Sequence, residues 1–448
     1  MAVYATDAAL VPARRGHGIP CHAASLTVAR LPSHSGGRRT LVEDDTRAQP
    51  SPGPKARWRF ADVFDLSVMG ATHGISDGYS SLLVPILAMV VLDLGLTTFQ
   101  AGLLLSAKSV ATVLFLYPNS LLADHTNRKK EILLVGMTIA SLAYVVMGWA
   151  PGLYTAILVA FVAGAGNSTY HPCGTALTAE RFPRQRAVAI SVHSLAGHLG
   201  ASIMPLAQSA VVALLGWRAS LRVCALPAAV LLPLVAMRMG SGAGALREQR
   251  DNHKAESFAK ITARVVRNRN VVILALVYAL TALGTSGMIG FLPLLGSERF
   301  GLGQAVIGLA VSAYFTAGVF AKPMMGLMYN RFGARTALFV PLVCAGGLAG
   351  LIGWLSWGAL FIPLAALVGL VTPVSPIILT AAADVSDEKA LASSIGFIYT
   401  CHGLGFLSPL VGGALAGPFG LSVSYSFFAV AISCGALAAL LLRRPANA

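Results

Sequence analysis

Two ionisable side chains in the first long apolar run of the chain are the strongest candidates for chemistry. His73 and Asp77 stand four positions apart, so on a helix they project from one face. A histidine and a carboxylate placed in this way can share a proton. Because an ionisable group within a membrane is costly, we expect Asp77 to face a central cavity as a proton or cation coupling group. The alternative is a structural carboxylate capped by neighbouring helices.

Two more ionisable residues interrupt later apolar runs. Lys108 falls near the middle of the second run, where a lone ammonium facing lipid would be unfavourable. We expect Lys108 to pair with Asp77 or to contact an anionic substrate; a permanently buried pair would make its role structural. His171 precedes Pro172, and a proline inside a helix frees a backbone carbonyl four residues earlier and kinks the helix. His171 is therefore expected to line a polar pocket, or else to hold a structural hydrogen bond.

The chain contains an internal duplication. Residues 120–130 and 326–335, about 205 positions apart, each follow an apolar run that contains a proline, turn into a basic cluster and enter another apolar run. At nearly the same offset, His198 corresponds to His402. Many transporters place one site at mid-membrane between duplicated halves, so the two histidines are candidate proton or substrate contacts, with packing histidines as the alternative.

Composition determines the class of protein that must position these residues. The 448 residues are 56% hydrophobic and 11% charged, and the mean hydropathy is +0.71, which excludes a water-soluble globular surface. Long apolar runs that do not alternate predict helices rather than a β-barrel. Twelve runs, six on each side of a polar central segment, predict an all-α integral membrane protein of two pseudo-symmetric six-helix bundles. The runs lie near 62–92, 98–119, 131–149, 153–177, 187–215, 218–237, 271–295, 304–327, 336–356, 360–382, 390–416 and 421–442.

The net charge of +15 is better explained by topology than by nucleic-acid binding, because the basic residues gather between the apolar runs. Their distribution predicts that both termini are cytoplasmic, and the inner (plasma) membrane of a bacterium is the expected location. The first segment is expected to be disordered, with a transit peptide or an over-extended gene start as alternatives. The predicted divisions are a cytoplasmic extension at 1–58, a first bundle at 59–237, a cytoplasmic loop at 238–270, a second bundle at 271–442 and a cytoplasmic tail at 443–448.

The sequence offers no pattern typical of enzymes or metal proteins. Its six cysteines are scattered singly, without the short spacings of metal or redox sites. No nucleotide-binding loop and no nucleophile with its base stand out. We therefore expect a protein that is not an enzyme and holds no cofactor or metal. Its expected partners are a small-molecule substrate, protons and the lipid bilayer, and the expected state is a monomer.

The twelve runs, the six-plus-six division, the long central loop and the duplicated loop motif together resemble the major facilitator superfamily over residues 61–442. Within this range three segments, Gly70–Asp77, Gly164–Pro172 and Gly197–Pro205, resemble the fosmidomycin resistance protein and its relatives. The resemblance implies a secondary transporter in which two bundles rock around a site at mid-membrane.

The resemblance to the superfamily implies a gating role for the loop motif. In the superfamily the loop latches the two bundles on the cytoplasmic side, which implies a gate at Asp124 and Arg128. In the second copy Asn330 replaces the carboxylate. This copy, with Arg331 and Arg335, is included in the gate but is expected mainly to shape the turn.

Gly197 and Gly200, which precede Pro205, allow close helix packing and resemble the antiporter motif of drug exporters. Relatives carry a glutamate after the His-Pro pair where this chain has Cys173, so coupling would fall on Asp77 and the histidines. The resulting hypothesis is a proton-coupled antiporter that exports small drug-like or metabolite molecules and so confers drug resistance by efflux. Uptake or facilitated diffusion of an organic anion or sugar is the alternative, and a non-transporting membrane sensor is a further one.

Overall fold

The computed structural model describes residues 58–240, 258–386 and 391–443. The side chains of Asp124, Ala187, 258–262 and 391–392 fall outside this description. So do the predicted cytoplasmic extension and C-terminal tail, apart from Trp58 and Arg443, and the predicted central loop from 241 to 257.

The described residues are almost entirely helical, with no strand among them, which confirms the predicted all-α fold. Short 3-10 turns at 183–185, 358–360 and 403–406 join some of the helices. In chain order the helices are α1 Phe60–Ser81, α2 Leu87–Leu94, α3 Thr98–Thr126, α4 Lys129–Met147, α5 Leu153–Asn167, α6 Tyr170–Arg181, α7 Arg186–Val223, α8 Leu226–Arg238, α9 Phe258–Arg267, α10 Arg269–Phe300, α11 Gln304–Trp354, α12 Phe361–Val371, α13 Ser375–Val385, α14 Leu391–His402, α15 Leu407–Phe419 and α16 Leu421–Ala439.

Eight helical stretches of the described residues are long and apolar enough to cross a membrane. Two of them, Val188–Arg238 and Gln304–Trp354, are 51 residues long, more than twice the length of about 20 that one crossing needs. Each is interrupted by a glycine with positive φ, Gly216 at 78° and Gly333 at 72°, a conformation that glycine adopts at little steric cost. Both glycines lie between two predicted runs. The count of twelve crossings stays a prediction.

Glycines bring α1 and α7 into close contact beside the candidate residues. A Cβ on Gly200 would overlap the backbone of Gly74, and one on Gly70 would lie 3.0 Å from Ala196 Cβ. Small residues at such a crossing let two backbones approach where larger side chains would hold them apart. The approach sets the face of α1 that carries His73 against α7.

A buried ion cluster ties three helices of the first half together. Asp65 of α1 is only 2% exposed and accepts hydrogen bonds from Arg181 of α6 at 2.6 Å and from Arg238 of α8 at 2.7 Å. A carboxylate is tolerated at this burial because both arginines neutralise it and satisfy its oxygens. The cluster therefore fixes the relative positions of α1, α6 and α8.

The two predicted halves meet along α3 with α15 and along α7 with α11. Thr98 Oγ1 donates a hydrogen bond to Gly413 O at 3.1 Å, and Ser106 Oγ donates one to Phe406 O at 2.7 Å. Such contacts run from the middle of the helices to the ends opposite the basic loops. These contacts hold the halves together from mid-depth to the side opposite the basic loops.

Candidate functional site

His73, Asp77 and His171 meet at a single carboxylate oxygen. His73 Nε2 and His171 Nε2 each lie 3.5 Å from Asp77 Oδ1. His73 and Asp77 project from one face of α1, as their spacing predicts, and His171 comes from the first turn of α6. The side chain of His73 is 7% exposed and that of Asp77 17%, whereas that of His171 is 52% exposed. The cluster is thus buried on one side and accessible through His171.

An interruption between α5 and α6 lies directly before His171. Pro172 has no backbone N–H, so the carbonyl of Ser168, four residues earlier, cannot form its usual helical bond. The helix stops after Asn167 and restarts at Tyr170. The kink expected from the proline is therefore present as an interruption of the helix.

A backbone carbonyl fixes the hydrogen on His73. His73 Nδ1 lies 2.9 Å from His193 O, and a carbonyl oxygen only accepts, so Nδ1 carries the hydrogen. In the neutral ring Nε2 then presents a lone pair to Asp77 Oδ1, and two acceptors face each other. Among the described residues this Nε2 finds no hydrogen-bond partner. A proton on either group removes the repulsion, so the pair is arranged to hold one proton.

Aromatic rings hold His73 in place. The centroid of its ring lies 4.3 Å from that of His193 and 5.1 Å from that of Tyr170. Tyr170 Oη in turn donates a hydrogen bond to Met69 O at 2.9 Å, and His193 is fully buried. Sequence reasoning misses His193 as a site residue, because the group that orients His73 is a backbone carbonyl that any residue could supply.

Two lysines place positive charge near Asp77. Lys108 Nζ donates to Ser80 O at 2.8 Å, so it bonds the backbone of α1 rather than Asp77, although its charge interacts with Asp77. Lys322 of α11 also interacts electrostatically with Asp77, and its Nζ contacts His198 Nε2. Sequence reasoning misses Lys322. A lone lysine within an apolar run is the signal that could have found it.

The two symmetry-related histidines have different surroundings. His198 Nδ1 lies 2.7 Å from Ser194 O, and its Nε2 contacts Lys322 of the other half. His402 instead packs its ring on Tyr278 of its own half, with 4.0 Å between centroids. Equivalence in the sequence therefore does not extend to the contacts, and of the two histidines it is His198 that contacts a residue of the other half.

Because Gly197 has no side chain, it leaves room for His73 and Asp77 against α7. A Cβ at this position would lie 2.7 Å from both Asp77 Oδ2 and His73 Nε2. Pro205 lies further along α7, where its carbonyl oxygen would be 3.0 Å from a Cβ on Gly308 of α11. The residues predicted to pack helices thus belong to two interfaces, Gly197 to that with α1 and Pro205 to that with the other half.

The predicted gate residues lie at the basic ends of the helices. The side chain of Asp124 falls outside the described residues, although its backbone belongs to α3. Asn127, where the motif of the superfamily has a glycine, has a φ of 54°, a left-handed conformation that asparagine tolerates. Arg335 donates a hydrogen bond to Leu442 O within its own half. The gate stays a prediction for all of its members, which are Asp124, Arg128, Asn330, Arg331 and Arg335.

The side chains of the cluster are also spaced to surround one cation. The ligand atoms of His73, Asp77 and His171 all lie within 4.8 Å of one another, and two histidines with a carboxylate are a common ligand set for transition metals. Lys108 and Lys322, however, place positive charge nearby. Repulsion grows with the charge of the occupant. A proton therefore suits this position better than a divalent metal.

Family comparison identifies the class of protein to which this fold and site belong. Residues 69–306 and 274–448 both match the family model described as Major Facilitator Superfamily. Since the matches cover most of the chain, it belongs to the Major Facilitator Superfamily. It is an integral multi-pass membrane protein, and the family implies transport rather than catalysis. The narrower resemblance to the fosmidomycin resistance protein stays a prediction.

Individual relatives are distant in sequence and similar in fold. The chain is 23% identical over 389 residues to an uncharacterized MFS-type transporter, YfnC, of Bacillus subtilis (strain 168), with 84% of this chain and 92% of the relative covered. A bacterial homologue of the human lysosomal transporter Spinster, in an inward-facing and occupied conformation, aligns with a TM-score of 0.74 and 14% identity, covering 86% of this chain and 97% of that one. The nucleoside transporter NupG aligns with a TM-score of 0.70 and 13% identity, covering 85% and 100%. At these identities the structural likeness shows the fold alone.

Proposed function

We propose that this chain is a proton-coupled antiporter that exports small drug-like or metabolite molecules by alternating access. The observation that carries the proposal is the lone pair of His73 Nε2, held 3.5 Å from Asp77 Oδ1 by the bond between Nδ1 and a carbonyl. A group that binds one proton within the membrane is what coupling to a proton gradient requires. His171, which is half exposed, is the route by which the proton reaches Asp77.

Coupling requires the proton to bind the two states of the protein with different affinity. The cluster belongs to one half, whereas Lys322 approaches from the other, so a movement of the halves changes the charge around Asp77. Each tenfold difference in affinity corresponds to about 1.4 kcal/mol, and a few kcal/mol is enough to shift the balance of states. Substrate and proton would then use one cavity in turn.

The proposal includes the finer arrangement that the sequence predicts. It has twelve crossings in two six-helix bundles, both termini in the cytoplasm, a monomer in the inner membrane of a bacterium, and a cytoplasmic gate at Asp124 and Arg128. The hydrogen bonds between the halves bear only on which side of the protein is closed: they lie away from the basic loops, and basic loops are typically cytoplasmic. The described state would then be closed toward the outside.

Inverted vesicles from an efflux-deficient host test the proposal, with compounds chosen by a growth screen of toxic molecules. Export predicts that adding a transported compound releases protons from the lumen, which a trapped pH dye records. Asp77→Asn should abolish proton-driven transport while the protein still inserts, because the amide keeps the size of the side chain and cannot bind the proton. Asp93→Asn is the matched control. Asp93 lies outside the cluster and pairs with Arg218 at a distance of 2.9 Å. Unchanged proton-driven transport in Asp77→Asn would remove Asp77 from the mechanism.

Uptake or facilitated diffusion of an organic anion is the second candidate, and the two lysines favour it. Lys108 and Lys322 both place an ammonium group within the electrostatic reach of Asp77, and ammonium groups bind carboxylates and phosphates. In the same vesicles this function predicts flux that follows the gradient of the anion and does not respond to pH. Such a result would exclude the antiporter.

A further inference from the structure

We propose that Lys322 links protonation of the His73–Asp77 pair to movement of the C-terminal half, an inference that rests on the proposed function. The residues of the proton-binding cluster, His73, Asp77 and His171, all belong to the N-terminal half. A rocking movement requires the other half to respond to the proton as well. Lys322 of α11 extends from that other half to His198, and its charge interacts with Asp77.

The contact between Lys322 Nζ and His198 Nε2 depends on how many protons it holds. His198 Nδ1 lies 2.7 Å from Ser194 O, an acceptor, so Nδ1 carries a hydrogen and the neutral ring offers a lone pair at Nε2. The ammonium of Lys322 donates to that lone pair. A further proton would place two donors and two positive charges in contact, and the contact would break.

The charge near Asp77 determines how strongly Lys322 is attracted to the N-terminal half. Gly197, next to His198, is so close to α1 that a Cβ there would lie 2.7 Å from Asp77 Oδ2. Asp77 therefore faces α7 at the residue that precedes His198 in the chain. Without a proton the His73–Asp77 pair carries one negative charge, which attracts Lys322 toward the N-terminal half, and a proton held by the pair cancels that charge. Proton binding therefore weakens the mid-depth contact between the halves.

Few other charges act on Lys322. The helices α12 and α16, which pack against α11, contain no Asp, Glu, Lys, Arg or His, and the charged residues of α10 lie at its ends. Helix α13 offers Asp384, which accepts a hydrogen bond from Tyr329, about two helical turns along α11 from Lys322. On the side of Asp77 the remaining ionisable neighbours are His73, Lys108, His171 and His193.

Spin labels on opposite halves report the movement without any substrate, with protons as the added ligand. The labels are attached through Leu122→Cys on α3 and Leu327→Cys on α11, both exposed positions, in a liposome-reconstituted chain whose own cysteines are replaced. The labels should report a shorter and a longer distance between the halves, one for each state. In this parent chain the ratio of the two populations should change about tenfold between about pH 8 and about pH 6. Lys322→Gln should reduce the change to less than about twofold. Lys322→Arg should retain it, because the guanidinium keeps the positive charge.

Two further variants make the test decisive. Lys322→Met removes the charge at nearly the same length and leaves an apolar side chain, so it replaces Lys322→Gln if the amide variant does not insert. Lys130→Gln makes the same chemical change in α4, where Lys130 bonds Ala236 O at 3.4 Å, and should respond to pH as the parent does.

Each outcome bears on a different claim. A response of both Lys322→Gln and Lys322→Met equal to that of the parent overturns the inference and leaves the proposed function in place. Loss of the response in Lys322→Arg as well would show that the residue serves packing, which also overturns the inference. A parent chain with no response to pH contradicts the proposed function itself.

Discussion

Alanine at Gly197 should disturb proton coupling more than it disturbs folding. The added Cβ would lie 2.7 Å from Asp77 Oδ2 and 2.7 Å from His73 Nε2. Atoms in ordinary contact are separated by about 3.5 Å, so the methyl group enters the space of both by about 0.8 Å. Neither atom belongs to the backbone, and the Asp77 carboxylate can rotate, whereas the His73 ring is held by His193 and Tyr170. Both atoms belong to the side chains that hold the proton.

The size of the effect follows from which atoms must move. Overpacking a well-packed site costs about 1–3 kcal/mol of the free energy of unfolding. For Gly197→Ala we expect the lower end of that range, because side chains yield, together with a loss of proton-driven transport of about tenfold or more. For Gly200→Ala we expect the upper end, since its Cβ would meet the backbone of Gly74, which cannot rotate away, and the two helices must separate.

The assay compares three alanine variants of glycines that lie in helices. Gly347 of α11 has no atom within 4 Å of the position that a Cβ would take, so Gly347→Ala controls for the change itself. Thermal unfolding of each purified variant in detergent gives stability, and proton-driven transport in vesicles gives coupling. The expected order is loss of coupling at Gly197, loss of stability at Gly200 and neither at Gly347.

The opposite order would refute this reasoning. If Gly197→Ala keeps full proton-driven transport, then either the cluster does not occupy the space beside α7 or it does not bind the coupling proton. If Gly200→Ala melts at the same temperature as the parent chain, then α1 and α7 do not approach as closely as the structure shows.

Two further substitutions test the packing around the site. Asp65→Asn removes the charge that pairs with Arg181 and Arg238 and should lower the free energy of unfolding by about 1–2 kcal/mol, since both arginines stay partly exposed. An unchanged thermal midpoint would show that this ion cluster does not stabilise the fold. Gly102→Ala should push α3 from α15, because its Cβ would overlap Pro409 O. The spin-label distance at the basic ends should then shift toward its shorter value, and an unaltered distance distribution would show that this contact does not control the balance of states.

Parts of the site follow from local spacing, and these are the parts that the sequence predicts. His73 and Asp77 share a face because they are four residues apart on one helix. The interruption before His171 follows from Pro172, whose ring removes a backbone donor. Neither result depends on how one helix is placed against another, so no tertiary information is needed.

Contacts between helices depend on rotation, tilt and depth, which spacing along one chain does not fix. Pairing with Asp77 was one of two expectations for Lys108, the other being contact with an anionic substrate, and in the structure Lys108 bonds Ser80 O. A long flexible side chain can reach several acceptors at the same depth. His198 and His402 are equivalent in the duplicated sequence, yet one meets Lys322 and the other Tyr278. Residues outside the repeat pattern decide that difference.

The sequence by itself determined the membrane class, the all-helical fold and the presence of a histidine and a carboxylate on one helical face. Composition and periodicity are local properties, and they are sufficient for these conclusions. Only the tertiary structure shows that His171 lies beside Asp77 and that His193 O accepts a hydrogen bond from His73. Only the tertiary structure shows that Lys322 reaches His198 from the other half. The reason is physical: a proton site needs several groups within a few ångströms, and here those groups come from helices far apart in the chain.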